Sequence, residues 1–338
     1  MKEKIVTFGE IMLRLTPPEY NTISQTNSFI ANFGGGEANV AVSLSHLNHH
    51  TTFISKLPPN QLGDSAIQHL RGHGVDTEYI VRGSSTMGIY FLETGFGGRP
   101  SKVVYNRKHS AVTKINCSEL DFDEIFKDAT WFHVSGISLA LGQRVRNVIF
   151  ACLEACKKYS VTVSFDFNYR SKLWTIEEAK PYYKKIISYV DILFASYFDA
   201  TKILDYTADD NLINDYDKRI NVFRKLIKDN KIKYIFGTDR TVYSATENAL
   251  SAFCINDTAD FKAEPIKFNI YDRIGGGDAF ASGVIHGLIK DINNPQYALN
   301  FGLATSVLKH TLYGDICTLG IEDIENFMSN NGKCRVQR

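Results

Sequence analysis

The sequence predicts an α/β fold in which a mostly parallel central sheet carries helices on both faces and a small β-sheet is set apart from it. Three observations predict this. From Ala129 onward, short apolar runs alternate with stretches whose apolar residues recur at helical spacing, the pattern of βαβ units. Two glycine turns, Gly34-Gly35-Gly36 and Gly275-Gly276-Gly277, each open onto a helical pattern. Between them, residues 89–93 and 103–107 flank the turn Gly97-Gly98-Arg99-Pro100, which is a hairpin signature.

Taken in order, residues 5–9 are a short apolar run closed by glycine and read as a buried first strand. Residues 11–15 stay extended and stop at Pro17-Pro18. After the first glycine turn, Val40, Leu44 and Leu47 share one helical face, followed by a strand at 52–57, a helix at about 62–72 and a turn at 74–77. Segments at about 11–33 and 86–110 are expected to make the small sheet, inserted in a single domain spanning residues 1–338. Further strands are expected at 130–134, 161–167, 191–195, 234–237, 250–256 and 266–270. Helices are expected at 144–159, 177–189, 220–230, 279–290, 295–310 and 321–328. Ligands on such sheets bind at the carboxyl ends of strands, and Asn168, Arg170, Ser196 and Asp278 each follow a predicted strand.

The glycine turns carry the chemistry. Free N–H groups at a helix start, with the positive end of the macrodipole behind them, make a site for a phosphate or another anion. Asp278, just after the second turn, reads equally as an N-cap or as a general base held beside an anion hole. Asn39, in the first turn of the helix after Gly34 to Gly36, points toward whatever those glycines admit.

Composition bounds the rest. A formal net charge of +1 leaves no field that would recruit nucleic acid, and no basic tract marks a membrane surface. Neither a nucleic-acid nor a membrane partner is expected. The six cysteines, Cys117, Cys152, Cys156, Cys254, Cys317 and Cys334, include no CxxC pair and complete no metal set, so they read as core or surface thiols. The start of the chain runs into the first strand without an apolar leader, and a reducing, cytoplasmic setting is expected. A dinucleotide fold would need G-x-G-x-x-G after the first strand, which Gly9-Glu10-Ile11 does not supply.

The chain resembles the ribokinase-like PfkB family of carbohydrate kinases. Gly34-Gly35-Gly36-Glu37-Ala38-Asn39 is similar to that family's GGxxxN element, and residues 272–278 are similar to its D-T-x-G-A-G-D signature. Within the family, the stretches at 9–17, 57–64, 165–174 and 272–278 resemble the subgroup that phosphorylates 2-keto-3-deoxygluconate. The resemblance implies Asp278 as base and the amides of Gly275, Gly276 and Gly277 as anion hole. It implies that a small sugar acid is held by Gly35, Gly36, Asn39, the lid tyrosine Tyr90, Tyr105, Arg107, Arg170 and Asp315. It places ATP against Asn168, Ser196, Gly237, Thr238, Arg240, Gly275, Gly277 and Asn300. Mg²⁺ is implied as arriving with the nucleotide, with a monovalent cation as a further candidate.

The residues agree with an anionic substrate, since Arg recognises a carboxylate bidentately with charge-assisted hydrogen bonds. Arg14 stands where many members acting on neutral sugars carry Asp, which removes a repulsion unless the side chain simply faces solvent. Three departures from the family pattern stand out. Ser196-Tyr197-Phe198-Asp199 replaces Asn-x-x-Glu, Gly237-Thr238-Asp239-Arg240 replaces a Gly-x-x-Gly loop, and Arg273 replaces Thr, the last as in the subgroup. A kinase acting on fructose or another neutral sugar, and a non-catalytic sugar-acid-binding member, are the competing readings. A homodimer or higher oligomer through the lid is expected, because an apolar sheet face or free strand edge favours self-pairing.

Overall fold

The first apolar run forms β1 (Lys4–Phe8), a central strand of a computed structural model that describes residues 3–330; Cys334 lies outside them. Its Gly9 end turns into β2 (Met12–Thr16), which pairs antiparallel with β3 (Ile30–Gly34). The glycine turn then starts α1 (Gly36–His46). After it come β4 (His50–Leu57), α2 (Gln61–Gly72) capped by the Asn60 side chain, and β5 (Ile80–Arg82), a strand too short to stand out in the sequence. The hairpin is β6 (Ile89–Glu93) and β7 (Lys102–Asn106), and β6 pairs parallel with β2 to complete a four-stranded sheet in the order β3-β2-β6-β7.

The alternating half follows the expected order. A short α3 (Phe122–Phe126), β8 (Ala129–Ser135) and a one-turn α4 (Gly136–Leu139) precede α5 (Gln143–Tyr159), where Ser160 in the left-handed region ends the helix. Next come β9 (Thr162–Asp166), α6 (Ile176–Ile186) with a Thr175/Glu178 capping box, β10 (Ile192–Phe194) and α7 (Asp215–Asn230). The strands β11 (Tyr234–Val242), β12 (Glu247–Ile255) and β13 (Asp260–Asn269) lead to α8 (Gly276–Lys290), α9 (Pro295–Lys309) and α10 (Ile321–Ser329).

The large sheet runs β13-β12-β11-β10-β9-β8-β1-β4-β5. It is parallel from β11 to β5 and antiparallel at the β11-β12-β13 edge. Hairpin pairing explains a difference from the sequence expectation. β11 does not stop at Gly237 but continues to Val242, because residues 235–242 pair with 248–255 of β12 even where the side chains are polar. Helices cover both faces. On one side Val148, Ile149, Phe165, Tyr183 and Phe223 share a core, and on the other Val40, Leu44, Phe236, Phe280, Val284 and Leu303 share a second. The apolar spacing read in the sequence is the stripe each helix buries. Among the described residues no helix is long and apolar enough to cross a membrane.

Candidate active site

The two glycine turns, far apart in sequence, meet. A Cβ placed on Gly36 would lie 3.7 Å from Asp278 Oδ1 and 3.9 Å from Asn168 Nδ2, so the starts of α1 and α8 and the end of β9 face one spot. Asn39 is buried, and its amide is shared between the turns. Its Oδ1 accepts the Gly35 N–H at 3.1 Å, and its Nδ2 donates to Asp278 Oδ2 at 2.7 Å. Asp278 does not cap its helix. The cap position is Gly275, no side-chain cap bond is made, and the carboxylate is directed across to Asn39. Burial pushes this carboxyl up to about 6; the Asn39 bond opposes the rise, Asp315 adds to it, and Arg170 and Lys309 oppose it.

Glycine is required at Gly275 for two reasons. Its φ of 82° is in the left-handed region, and a Cβ there would lie 1.8 Å from the Asp315 carbonyl oxygen. Gly276 is packed on the His310 ring, whereas Gly277 faces open space. An amide-lined turn with one open glycine can accept an anion at the helix start.

Near Asp278 stands Asp166, at the end of β9, which in turn lies near Asp199. Burial, then the neighbouring charge of Asp278, pushes Asp166 up to about 7, with exposed Arg170 opposing. Ser196 donates to Asp199 Oδ2 through both N (2.8 Å) and Oγ (2.7 Å), so in the Ser196–Asp199 element the two residues hold each other. Asn168 adopts φ 38°, which turns the chain after β9 toward the glycines. Among the described residues no three metal-ligating side chains stand close enough to hold an ion by themselves.

Arg14 does not face solvent. It is fully buried, with Nη2 donating to Asp272 Oδ2 at 2.5 Å and Nη1 to Asp315 Oδ1 at 2.7 Å. The Tyr90 hydroxyl donates to the other Asp315 oxygen, so Tyr90 and Asp315 spend these groups on each other rather than presenting them free. The physical reason is burial: a carboxylate 3% exposed needs its charge answered nearby. Arg107, also buried, pairs with Glu10 at the exit of β1. Its Nε has no hydrogen-bond partner among the described residues, nor has buried Ser110 Oγ. Tyr105 is exposed, its ring 5.8 Å from that of Tyr90.

On the other side of the glycine turn, Gly237 is buried in β11, where a Cβ would lie 2.3 Å from the Phe253 ring and 2.7 Å from the Ala195 carbonyl oxygen. That glycine serves packing. Thr238 is exposed, and Arg240 reaches Asn248 and His310. Asn300 lines a groove of about 730 Å³ between β13 and helices α9 and α10, with Phe268, Leu303, Val307 and Phe327 among its walls. A groove of that size is in the range of small-molecule sites.

Residues 2–319 match the family described as pfkB family carbohydrate kinase. The chain belongs to that family. Among solved structures, this carbohydrate kinase is similar to the 2-dehydro-3-deoxygluconokinase of Thermotoga maritima, with a TM-score of 0.92 and 40% identity, over 97% of this chain and 99% of that one. It is similar to a PfkB family carbohydrate kinase of Listeria grayi, with a TM-score of 0.91 and 32% identity, over 97% and 100% of the two chains. The 2-dehydro-3-deoxygalactonokinase of Haloferax volcanii is 31% identical over 333 residues, 97% of each chain.

Four groups around the site of this kinase were not singled out from the sequence. Glu10 and Asp166 follow strands as the recognised residues do, and that placement could have flagged them. Glu37 lies inside the first glycine motif; its Oε1 accepts from Ser135 N, Ser135 Oγ and Ser138 Oγ, tying α1 to the end of β8. His310, at the end of α9, is adjacent only in space.

Proposed function

We propose that the chain phosphorylates 2-keto-3-deoxy-D-gluconate, or a sugar acid of that class, at its terminal C6 hydroxyl, using ATP. The observation that carries this is the placement of Asp278 between the two glycine turns, oriented by Asn39 and beside an open glycine. The names of the Thermotoga maritima and Haloferax volcanii relatives support the substrate class, and their difference leaves the gluco and galacto epimers to be separated by assay.

Phosphoryl transfer asks for positioning and charge neutralisation more than for covalent chemistry. Asp278 accepts the proton of the attacking hydroxyl, and the amides of Gly275, Gly276 and Gly277 stabilise the developing negative charge. Arg170, exposed beside the carboxylates, is available to a sugar carboxylate. Arg107 is paired with Glu10, and its Nε, without a hydrogen-bond partner among the described residues, offers one further donor next to Tyr105. Tyr90 and Asp315 shape this wall from behind. The groove with Asn300 fits the nucleoside, and Asn168 and Ser196 border its phosphates. The carboxyls of Asp166, Asp199 and Asp278, each raised chiefly by burial and opposed by Arg170, fit a hydrated divalent ion. Mg²⁺ would supply charge neutralisation on the phosphates, with Asp166 and Asp199 facing its waters.

Buried free thiols at Cys152, Cys156 and Cys254 support a reducing, cytoplasmic setting. Exposed apolar residues Phe29, Ile30, Phe96 and Val104 on the lid support a dimer through that sheet, and a monomer by light scattering at micromolar concentration would contradict it. The substrate test is ADP release with 2-keto-3-deoxygluconate, its galacto epimer and fructose side by side. Preference for a sugar acid supports the reading, and preference for fructose overturns it while leaving the fold and Asp278 in place.

A further inference from the structure

Lys309, the last residue of α9, is fully buried. Its ammonium makes long contacts: Nζ donates to the Asp272 carbonyl at 3.4 Å and to the Leu312 carbonyl at 3.5 Å. Among the described residues no carboxylate comes within 4.0 Å of it, and Arg14 is paired with both Asp272 and Asp315. An ammonium carries three donors, and keeping one desolvated with two distant acceptors is unfavourable. Burial pulls Lys309 down; Asp272 and Asp315 oppose the fall, and Arg14 adds to it. An apolar side chain of similar size would fill the same space without that penalty. Packing alone does not account for a lysine here.

Its surroundings do. The two carbonyls belong to the segments on which the second glycine turn is built. Tyr271 and Asp272 donate their N–H groups to the His310 carbonyl, and the Gly314 N–H donates to Asp272 Oδ2. Gly275 is packed against the Asp315 carbonyl. Lys309 stands at the junction of these segments, near enough to the site for its charge to oppose the rise of the Asp278 carboxyl. Arg14 and Lys309 bring two positive charges to the buried cluster, and Asp272 and Asp315 two negative ones. Without Lys309 the cluster would hold an excess negative charge beside amides that receive an anion.

We propose that Lys309 is a positioning residue for phosphoryl transfer: its ammonium cancels that excess charge and ties the Asp272 segment to the 310–315 loop, so that the amides of Gly275, Gly276 and Gly277 keep their full pull on the phosphoryl group. This rests on the kinase reading and adds to it a residue that touches neither substrate. Carbonyl oxygens with two carboxylates close by are also the surroundings that suit a potassium or ammonium ion. Removing the side chain therefore leaves a place where such an ion can restore the missing charge.

The test is steady-state turnover of wild type, Lys309→Met and Lys309→Ala with 2-keto-3-deoxygluconate, MgCl₂ and ATP. Each is assayed in choline chloride and again with potassium or ammonium chloride at the same ionic strength. In choline, kcat of both variants is expected to fall on the order of 10-fold, with the KM for the sugar acid within about twofold of wild type. Potassium or ammonium restores turnover in Lys309→Ala, whereas wild type and Lys309→Met, whose side chains occupy the place, do not respond. A purely structural lysine would lower the urea midpoint and leave kcat per folded protein unchanged, which overturns the proposal. Loss without rescue in Lys309→Ala, or an equal cation response in wild type, overturns it as well. Should both variants fail to fold by circular dichroism, Lys309→Gln, which keeps a donor and lacks the charge, decides: wild-type kcat overturns the proposal and a comparable fall supports it. Wild type that releases no ADP with any sugar acid or with fructose overturns the kinase reading, and the role of Lys309 with it.

Discussion

Asn39 and Asp278, 239 positions apart in the chain, are joined by a 2.7 Å hydrogen bond that donates onto the carboxylate. The bond does two things. It aims the proposed base at the spot bordered by Gly36 and Asn168, and it favours the charged form against the burial that disfavours it.

The first prediction concerns pH. A general base must be ionised, and the folded-state carboxyl sits at about 6, so kcat/KM is expected to fall as pH drops through 6 and to be flat above 7. Removing the donor in Asn39→Ala disfavours the carboxylate further and moves the acid limb to higher pH. A pH–rate profile of both proteins checks this. An acid limb that stays in place would separate Asn39 from the ionisation of Asp278.

Much of this arrangement was legible in the sequence, and the reasons are specific. Periodicity and glycine turns identify elements whose local pattern and buried stripe agree, as in α5 and α8. The two motifs implied that Asn39 and Asp278 both face the substrate; the hydrogen bond between them had no signal in the sequence. The Arg14 contacts had none either. An arginine in a strand-like run is as compatible with solvent as with burial, and only the pairing of β2 with β3 and β6 carries it beside Asp272 and Asp315, 258 and 301 residues away. The course of β11 past Gly237 was hidden because cross-strand pairing with β12 overrides weak local propensity.

Arg14 leads to a stability prediction. It answers two buried carboxylates at once, and Arg14→Met would leave Asp272 and Asp315 in the interior with less compensation. Loss of one partner from a buried ion pair costs about 3–5 kcal/mol, so urea unfolding of Arg14→Met is expected to show a loss of that order. A loss under about 1 kcal/mol, the range of surface pairs, would contradict the buried arrangement.

The glycines of the second turn should behave differently from one another. Gly275→Ala meets both a left-handed φ and a carbonyl oxygen at 1.8 Å, so folding and activity are expected to be lost together. Gly277→Ala meets open space within the first turn of a helix, where Ala exceeds Gly by about 0.5–1 kcal/mol. Its melting temperature is therefore expected to rise slightly while the KM for ATP increases, because the added methyl faces the proposed phosphate position. Thermal melts and nucleotide titrations on the pair would distinguish them.

The Glu10–Arg107 pair is open to a fourth test. Glu10→Gln frees the guanidinium of its fixed counter-charge, and the KM for the sugar acid is expected to change several-fold while the KM for ATP stays put. A change confined to ATP would remove Arg107 from the sugar wall.

The most direct measurement is steady-state turnover of Asp278→Asn with 2-keto-3-deoxygluconate and ATP, alongside calorimetric ATP binding to the same protein. Asparagine keeps the shape and removes the base, so kcat is expected to fall by roughly 10²- to 10⁴-fold with ATP affinity retained. Turnover close to wild type would contradict the assignment of Asp278 as the base, and with it the central claim.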